Sequence, residues 1–356
     1  AMPPKQTVVE LRVVQNPVNA PEGSFRTIAE AFTVVESGAD VPHIIHIGAG
    51  VYNEALFIKK HVELVADHEE AQGDQEAHTA HVVIETTGIH AVTVADSDCK
   101  IKNLTIRLVG GGNWHGLHVC GGKVAAEGCK IQSTRSSCVG VCGETAVAVL
   151  SHCELYESAV GAGLVVYGGG KATLNDCSVF GNALTGIEVR DQGKLEATHC
   201  KVYDNRQSGI IFGDGGQGTL TECDIYHNFL SGVEVQMGSH PILSKNKLRN
   251  NGQCGLTING AEAEVQENEI ESNRMHGAQI GSGHIVFKNN HFSYNVECGI
   301  AVYGDLEATF ETNTFRANLG GPWVATPRSG DKLVPQLDHN TLLHIEYPES
   351  DEEDDD

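Results

Sequence analysis

Basic residues are scarce in this chain. Its 24 Lys and Arg face 47 Asp and Glu, for a formal net charge of −23. Phosphate backbones are gripped by clustered Lys and Arg, so nucleic acid is not an expected partner. No 18 apolar residues run together and no signal-peptide pattern is present, so no membrane span is read. The 11 cysteines, an odd number, contain no CxxC pair or framework spacing. Free thiols in that number predict a reducing compartment, and a cytoplasmic location is expected. Asn103-Leu104-Thr105 is a lone glycosylation sequon, close to what chance supplies. Ala1-Met2 reads as a tag remnant, which leaves open whether further domains precede it. Missing too, through the middle of the chain, is any helix-length amphipathic stretch.

What fills the middle is a repeat. A phrase of Gly, aliphatic, any residue, aliphatic begins at Gly116, Gly140, Gly163, Gly186, Gly209, Gly232, Gly255, Gly277 and Gly299, in steps of 22 to 24 residues. Cys or Asn follows 13 or 14 residues later: Cys129, Cys153, Cys177, Cys200, Cys223, Asn246, Asn268, Asn290, Asn313. Five residues on stands a small polar residue: Thr134, Ser158, then Asn182, Asn205, Asn228, Asn251, Asn273, Asn295, Asn318. A fixed period of this length means a solenoid. Within units the apolar residues alternate, as in Ile187-Glu188-Val189, which is the period of a strand. The Leu-x-x-Leu-x-Leu pattern of leucine-rich repeats is absent. Three short strands and three turns fit one unit, so the expected fold is an all-β, right-handed parallel β-helix. Equivalent residues then stack about 4.8 Å apart. Ile187 and Val189 should point inward onto Ile210 and Phe212. The Asn run should occupy a turn, taking the left-handed conformation and bonding amide to amide along the axis. The Cys run reads as a small apolar ladder. One Cys per coil does not make the tetrahedral cluster zinc needs, so no metal or other cofactor is expected.

The ends differ from the repeat. Residues 1–23 read as an N-terminal arm. Residues 24–320 read as the β-helix with its cap: Phe25, Ile28, Ala29, Phe32 and Val35 have helical spacing, with Ser24 a candidate N-cap and Gly38 a stop. Such a helix would cover the open end of the solenoid. Residues 67–80 read as a polar loop. Pro322, Pro327 and Pro335 suggest an extended C-terminal cap over 321–348. Residues 349–356 form an acidic tail expected to be disordered, in which Ser350 fits an acidophilic kinase site.

Phe25-Arg26-Thr27-Ile28-Ala29-Glu30-Ala31 and Ile44-Ile45-His46-Ile47-Gly48-Ala49-Gly50-Val51-Tyr52-Asn53-Glu54 resemble the entry segment of pectin-lyase-like β-helix proteins. Pectin methylesterases, periplasmic copper-insertion proteins and several eukaryotic scaffolds share that segment, so it implies the fold. Ile225-Tyr226-His227-Asn228-Phe229-Leu230-Ser231-Gly232-Val233-Glu234-Val235-Gln236 and the following Ser239 to Leu248 resemble the repeats of the F-box-only protein eleven family. The Shc-binding protein family has similar repeats. Both resemblances imply recognition of a protein or peptide. No F-box bundle or zinc-binding UBR box is present, so ligase assembly is not implied. Leu319-Gly320-Gly321-Pro322-Trp323 is similar to the esterases' Leu-Gly-Arg-Pro-Trp but has no Arg. Gly209-Ile210-Ile211-Phe212-Gly213 lacks the Asp of their other motif.

Alternate residues after each repeat Gly should form one outer face bearing His118, Glu188, Arg190, Glu234, Gln236, Asn259 and Tyr303. The main expectation is a non-catalytic recognition scaffold or adaptor using this face. The alternative is a carbohydrate-active enzyme (lyase, hydrolase or epimerase) on an acidic polysaccharide. Glu188 and Glu234, two coils and about 9–10 Å apart, with Arg190 able to pair with either, would then be the catalytic candidates.

Overall fold

The computed structural model describes residues 8–16, 20–38, 41–67, 81–304, 306–326 and 341–343. They form a right-handed parallel β-helix with one helix. The expected loop over 67–80, apart from Asp67, lies outside the described residues, as do Pro327, Pro335 and the acidic tail with Ser350.

Every strand pairing is parallel, in sheets of 23 and 13 strands. The larger sheet has two faces. One is built from the strand after each repeat Gly, such as Ile187–Val189, and the other from the next strand, such as Lys194–Thr198. Leu256–Gln266 and Ala278–Lys288, 11 residues each, run through the corner and join the faces. The smaller sheet closes each coil. Ile187 pairs with Ile210 and Val189 with Phe212, all fully buried, as the alternation requires. These side chains extend one continuous apolar core from coil to coil.

The sheets reach beyond the repeat. Val9–Val13 pairs with His43–Ile47, so the arm supplies the first rung. Trp323–Ala325 pairs with Ile300–Val302, and Thr341–Leu343 with Thr314–Arg316, so the coil winds on past residue 320. The capping helix spans Ile28–Ser37 and ends at Gly38. Its N-cap is Thr27 rather than Ser24. Thr27 accepts from Glu30 N while the Glu30 carboxylate accepts from Thr27 N, a reciprocal capping box. Glu54 takes the next two orphan donors, Ile28 N at 3.0 Å and Ala29 N at 2.7 Å.

The Asn ladder is continuous. The Oδ1 of each residue from Asn205 to Asn318 accepts both the backbone N–H and the Nδ2–H of the Asn one coil earlier, at 2.8–3.3 Å. Each Nδ2 also donates to a sheet carbonyl, as Asn251 does to Ile225 O at 3.1 Å. The left-handed residue is not the Asn but the one before it: Asp204, His227, Asn250, Ser272, Tyr294 and Ala317 have φ between 50° and 56°. Bending there turns the next side chain inward, where its amide is buried and must be paired. At the start of the column Thr134 Oγ1 accepts from Gly110 N one coil earlier at 2.9 Å, while the inward Ser133 accepts locally from Ser136 N at 3.2 Å.

The Cys ladder uses the same turn logic. Cys153, Cys177, Cys200 and Cys223 point their thiols at Ala126, Leu150, Leu174 and Ala197 carbonyls at 3.4–3.5 Å. Asn246 then takes over, its Nδ2 reaching the register-equivalent Leu220 O at 2.8 Å. The thiol is thus a weak donor standing where the amide stands later. Gly140 departs from its expected place. Leu117 pairs with Val139, so Cys138 occupies the repeat-Gly position and Gly140 lies opposite His118 on the outer face.

Candidate functional site

The outer face of the repeat-Gly strands carries all seven residues selected from the sequence. His118, Glu188 and Glu234 share one column; Arg190, Gln236 and Tyr303 continue outward at the strand ends. Asn259 lies at a register shift, opposite Ser282.

Glu188 and Glu234 are each held within their own surroundings. Arg190 Nε lies 3.0 Å from Glu188 Oε1, with its guanidinium 5.0 Å from the Tyr167 ring centre. Glu234 accepts from Ser208 Oγ at 3.1 Å and from Gln236 Nε2 at 2.9 Å. Ile211 occupies the rung between the two carboxylates. The pair is therefore not brought together, and Arg190 serves only one of them.

Tyr303 is different, because it is joined to two residues the sequence reading missed. His276 Nε2 lies 2.9 Å from Tyr303 Oη and 2.7 Å from Glu297 Oε2. Cys298 N–H donates to His276 Nδ1 at 3.2 Å, which assigns the ring proton to Nε2. His276 is buried and Tyr303 is 39% exposed. Burial lowers the His276 pKa against the pull of Glu297, keeping the ring neutral. Burial, then the Glu297 charge, raises that of Tyr303, so it stands as a phenol. Chemically this is an exposed phenol whose oxygen shares the one imidazole N–H with the nearer Glu297 carboxylate. A signal for it was present: the residue before each repeat Gly forms a buried column, Ser208, Ser231, Cys254, His276, Cys298, bordering the face.

Near the other end His90, His115 and His118 stack, with His90 and His118 ring centres 4.2 Å apart. Trp114 meets His90 edge-on at 4.9 Å. The rings lie parallel rather than converging. Among the described residues no three His, Cys, Asp or Glu side chains gather as a metal ion requires. On the smaller sheet Tyr156, Phe180, Tyr203 and Tyr226 stack at 5.0–5.5 Å, capped by Arg249 at 4.4 Å. Their faces are spent on one another.

The family model described as right handed beta helix region matches residues 87–210, 137–283 and 185–341. No curated protein matches the sequence. Among solved structures, the Azotobacter vinelandii mannuronan C-5 epimerase AlgE6 A-module is similar with a TM-score of 0.64 and 14% identity, over 88% of this chain and 91% of that one. The AlgE4 A-module of the same organism gives 0.62 and 15%, over 88% and 93%. A variant of the periplasmic alginate epimerase AlgG gives 0.55 and 14%, over 86% and 78%. At this identity the likeness establishes the fold alone. These findings correct the expected non-catalytic adaptor. The resemblance to F-box-only eleven and Shc-binding repeats gains no support, and the similar structures are named as enzymes.

Proposed function

The chain belongs to the right-handed β-helix family, and from that premise we propose that it is a carbohydrate-active enzyme acting on an acidic polysaccharide along its outer repeat-Gly face. The observation that carries this reading is the Tyr303–His276–Glu297 set on that face. The names of the similar structures point to the same substrate class. The hydrogen at C5 of a uronate is acidified by the adjoining carboxyl group. Its removal followed by reprotonation from the opposite side inverts the centre, and its removal with loss of the 4-oxygen cleaves the chain. Either route needs a base to take the C5 proton as well as a placed donor to give one, and this set fills the donor's part. Tyr303 would give its proton, and the His276 Nε2–H, which lies between Glu297 Oε2 and Tyr303 Oη, would be shared by that carboxylate and the resulting phenolate oxygen. His276 thus acts as a positioning residue, itself oriented by Cys298 N–H and Glu297.

The test is to incubate the protein with mannuronan, alginate and polygalacturonate in deuterated water. Ultraviolet absorbance would follow unsaturated ends, and NMR would follow deuterium at C5. Tyr303→Phe should lower kcat by about 100-fold or more at unchanged melting temperature. Silence on all three polymers, or full activity in Tyr303→Phe, would sink the reading. Because the net charge of −23 repels a polyanion, KM should fall as ionic strength rises from about 0.01 to about 0.15 M and the screening length shrinks from about 30 to about 8 Å. A KM that instead rises with salt would mean that local cations such as Arg190 dominate capture.

A further inference from the structure

We propose that Cys120 and Cys142 form a reversible disulfide site, closed by a peroxide-class oxidant and reopened by thiols. All 11 cysteines are free, and only these two are not buried. They occupy successive rungs of the outer face. Val119 pairs with Val141, Cys120 N–H continues the ladder to Val94 O at 3.0 Å, and Cys142 pairs onward with Tyr167. Side chains alternate along a strand, and Val119 and Val141 are fully buried, so both residues face outward; the Cys120 thiol leans back on Val94 O at 3.5 Å and must turn about its Cα–Cβ bond to meet Cys142. One strand spacing, about 4.8 Å, falls within the Cα separations of about 4.4–6.8 Å that a disulfide spans.

Registered Cβ atoms on parallel strands also sit about one spacing apart, wider than the roughly 3.8 Å a disulfide takes, so closure must draw them together by about 1 Å. The backbone just beyond both residues can yield. Gly121 and Gly122 follow Cys120, and Gly143 follows Cys142, with φ of 69° at Gly122 and 100° at Gly143. A bond closed under that tension is readily reduced, as labile disulfides are. The other cysteines are held in the core, out of reach of a dissolved oxidant.

The chemistry balances. The Cys120 thiolate attacks one peroxide oxygen, the O–O bond breaks, and the departing hydroxide takes a proton to become water. The resulting sulfenic acid is attacked by the Cys142 sulfur, the S–S bond forms, and a second water leaves. Two thiols are oxidised by two electrons while one peroxide is reduced to two waters. Burial holds the Cys120 thiol above its ordinary pKa, so the first step is slow and quickens with rising pH.

The experiment is thiol titration of the folded protein before and after hydrogen peroxide, with digestion and mass spectrometry under non-reducing conditions. Two thiols should react in the native reduced protein and none after oxidation. A cross-linked peptide pair containing Cys120 and Cys142 should appear, lighter by two hydrogens, and dithiothreitol should restore both thiols. In Cys142→Ser, Cys120 should proceed to the sulfinic acid with no cross-link, and a melting curve confirms that the variant is folded. The proposal is overturned if peroxide leaves both thiols free, oxidises Cys120 alone in the parent, or joins either residue to a core cysteine.

Discussion

Asn251→Leu should destabilise the protein by on the order of 4–8 kcal/mol, more than any neighbouring surface change, because about 1–3 kcal/mol is lost for each buried polar group left unpaired. Leu fills the volume but neither gives nor takes a hydrogen bond. Asn228 would lose the acceptor of both its backbone N–H, now at 3.2 Å, and its Nδ2–H, now at 3.1 Å. Ile225 O and Asn273 Oδ1 would each lose a donor at 3.1 Å. No side chain of the two adjoining coils can replace these bonds without leaving its own partner. A solenoid is held by nearest-neighbour contacts, so the loss should also split the urea transition, with the coils beside residue 251 opening first. Asn318, the last and only half-buried rung, should tolerate the same change at a fraction of the cost. A single sharp transition for Asn251→Leu, within about 0.5 kcal/mol of the parent, would mean that water enters and replaces the amide.

The second large effect is loss of stability in mild acid. His90 and His115 are held down to about 4, first by burial and then by the neighbouring imidazoles, and burial also lowers His118. Freed in the unfolded chain, all three would titrate near the ordinary value of 6.5. Above that value both states carry neutral rings and the cluster contributes in full. As pH falls from 6.5 toward 4 the unfolded chain takes up protons the folded one refuses, and stability drops. His115 Nδ1 is already committed to Ser137 O, and His118 Nδ1 is buried with no partner. His118→Phe keeps the stacked ring, removes one titrating group and removes the charge that would oppose protonation of the other two. Its melting temperature should therefore fall less steeply than the parent's between pH about 6.5 and about 4. Parallel slopes would assign the acid sensitivity to the surface carboxylates instead.

The fold was legible because a β-helix writes its period into the chain. Inward pairs such as Ile187 with Ile210 follow from alternation plus a constant step, and the Asn ladder follows from register. Three details were not legible, each for a physical reason. Gly140 imitates the repeat phrase, but the step from Leu117 to Val139 is 22 residues and that from Val139 to Leu164 is 25, and only pairing distinguishes a Gly before a strand from one within it. The bend falls one residue ahead of each Asn because the side chain that must turn inward cannot also be the one at the corner. His276 and Glu297 come from a turn and meet Tyr303 only across adjacent coils, so no single repeat contains the site. The outward column, by contrast, was readable from the phrase itself, which is why Tyr303 was found without its partners.

The amide ladder also has a direction. From Asn182 to Asn318 every side chain points its NH2 toward the later coil and its oxygen toward the earlier one. Aligned amide dipoles add, as peptide dipoles do along a helix, leaving partial negative charge at the Asn182 end and partial positive charge at the Asn318 end. The next strand after Asn295 is the one that leads into Tyr303. The solenoid is thus an electrically polar rod, and the end it makes favourable to anions is the end where a phenolate would form.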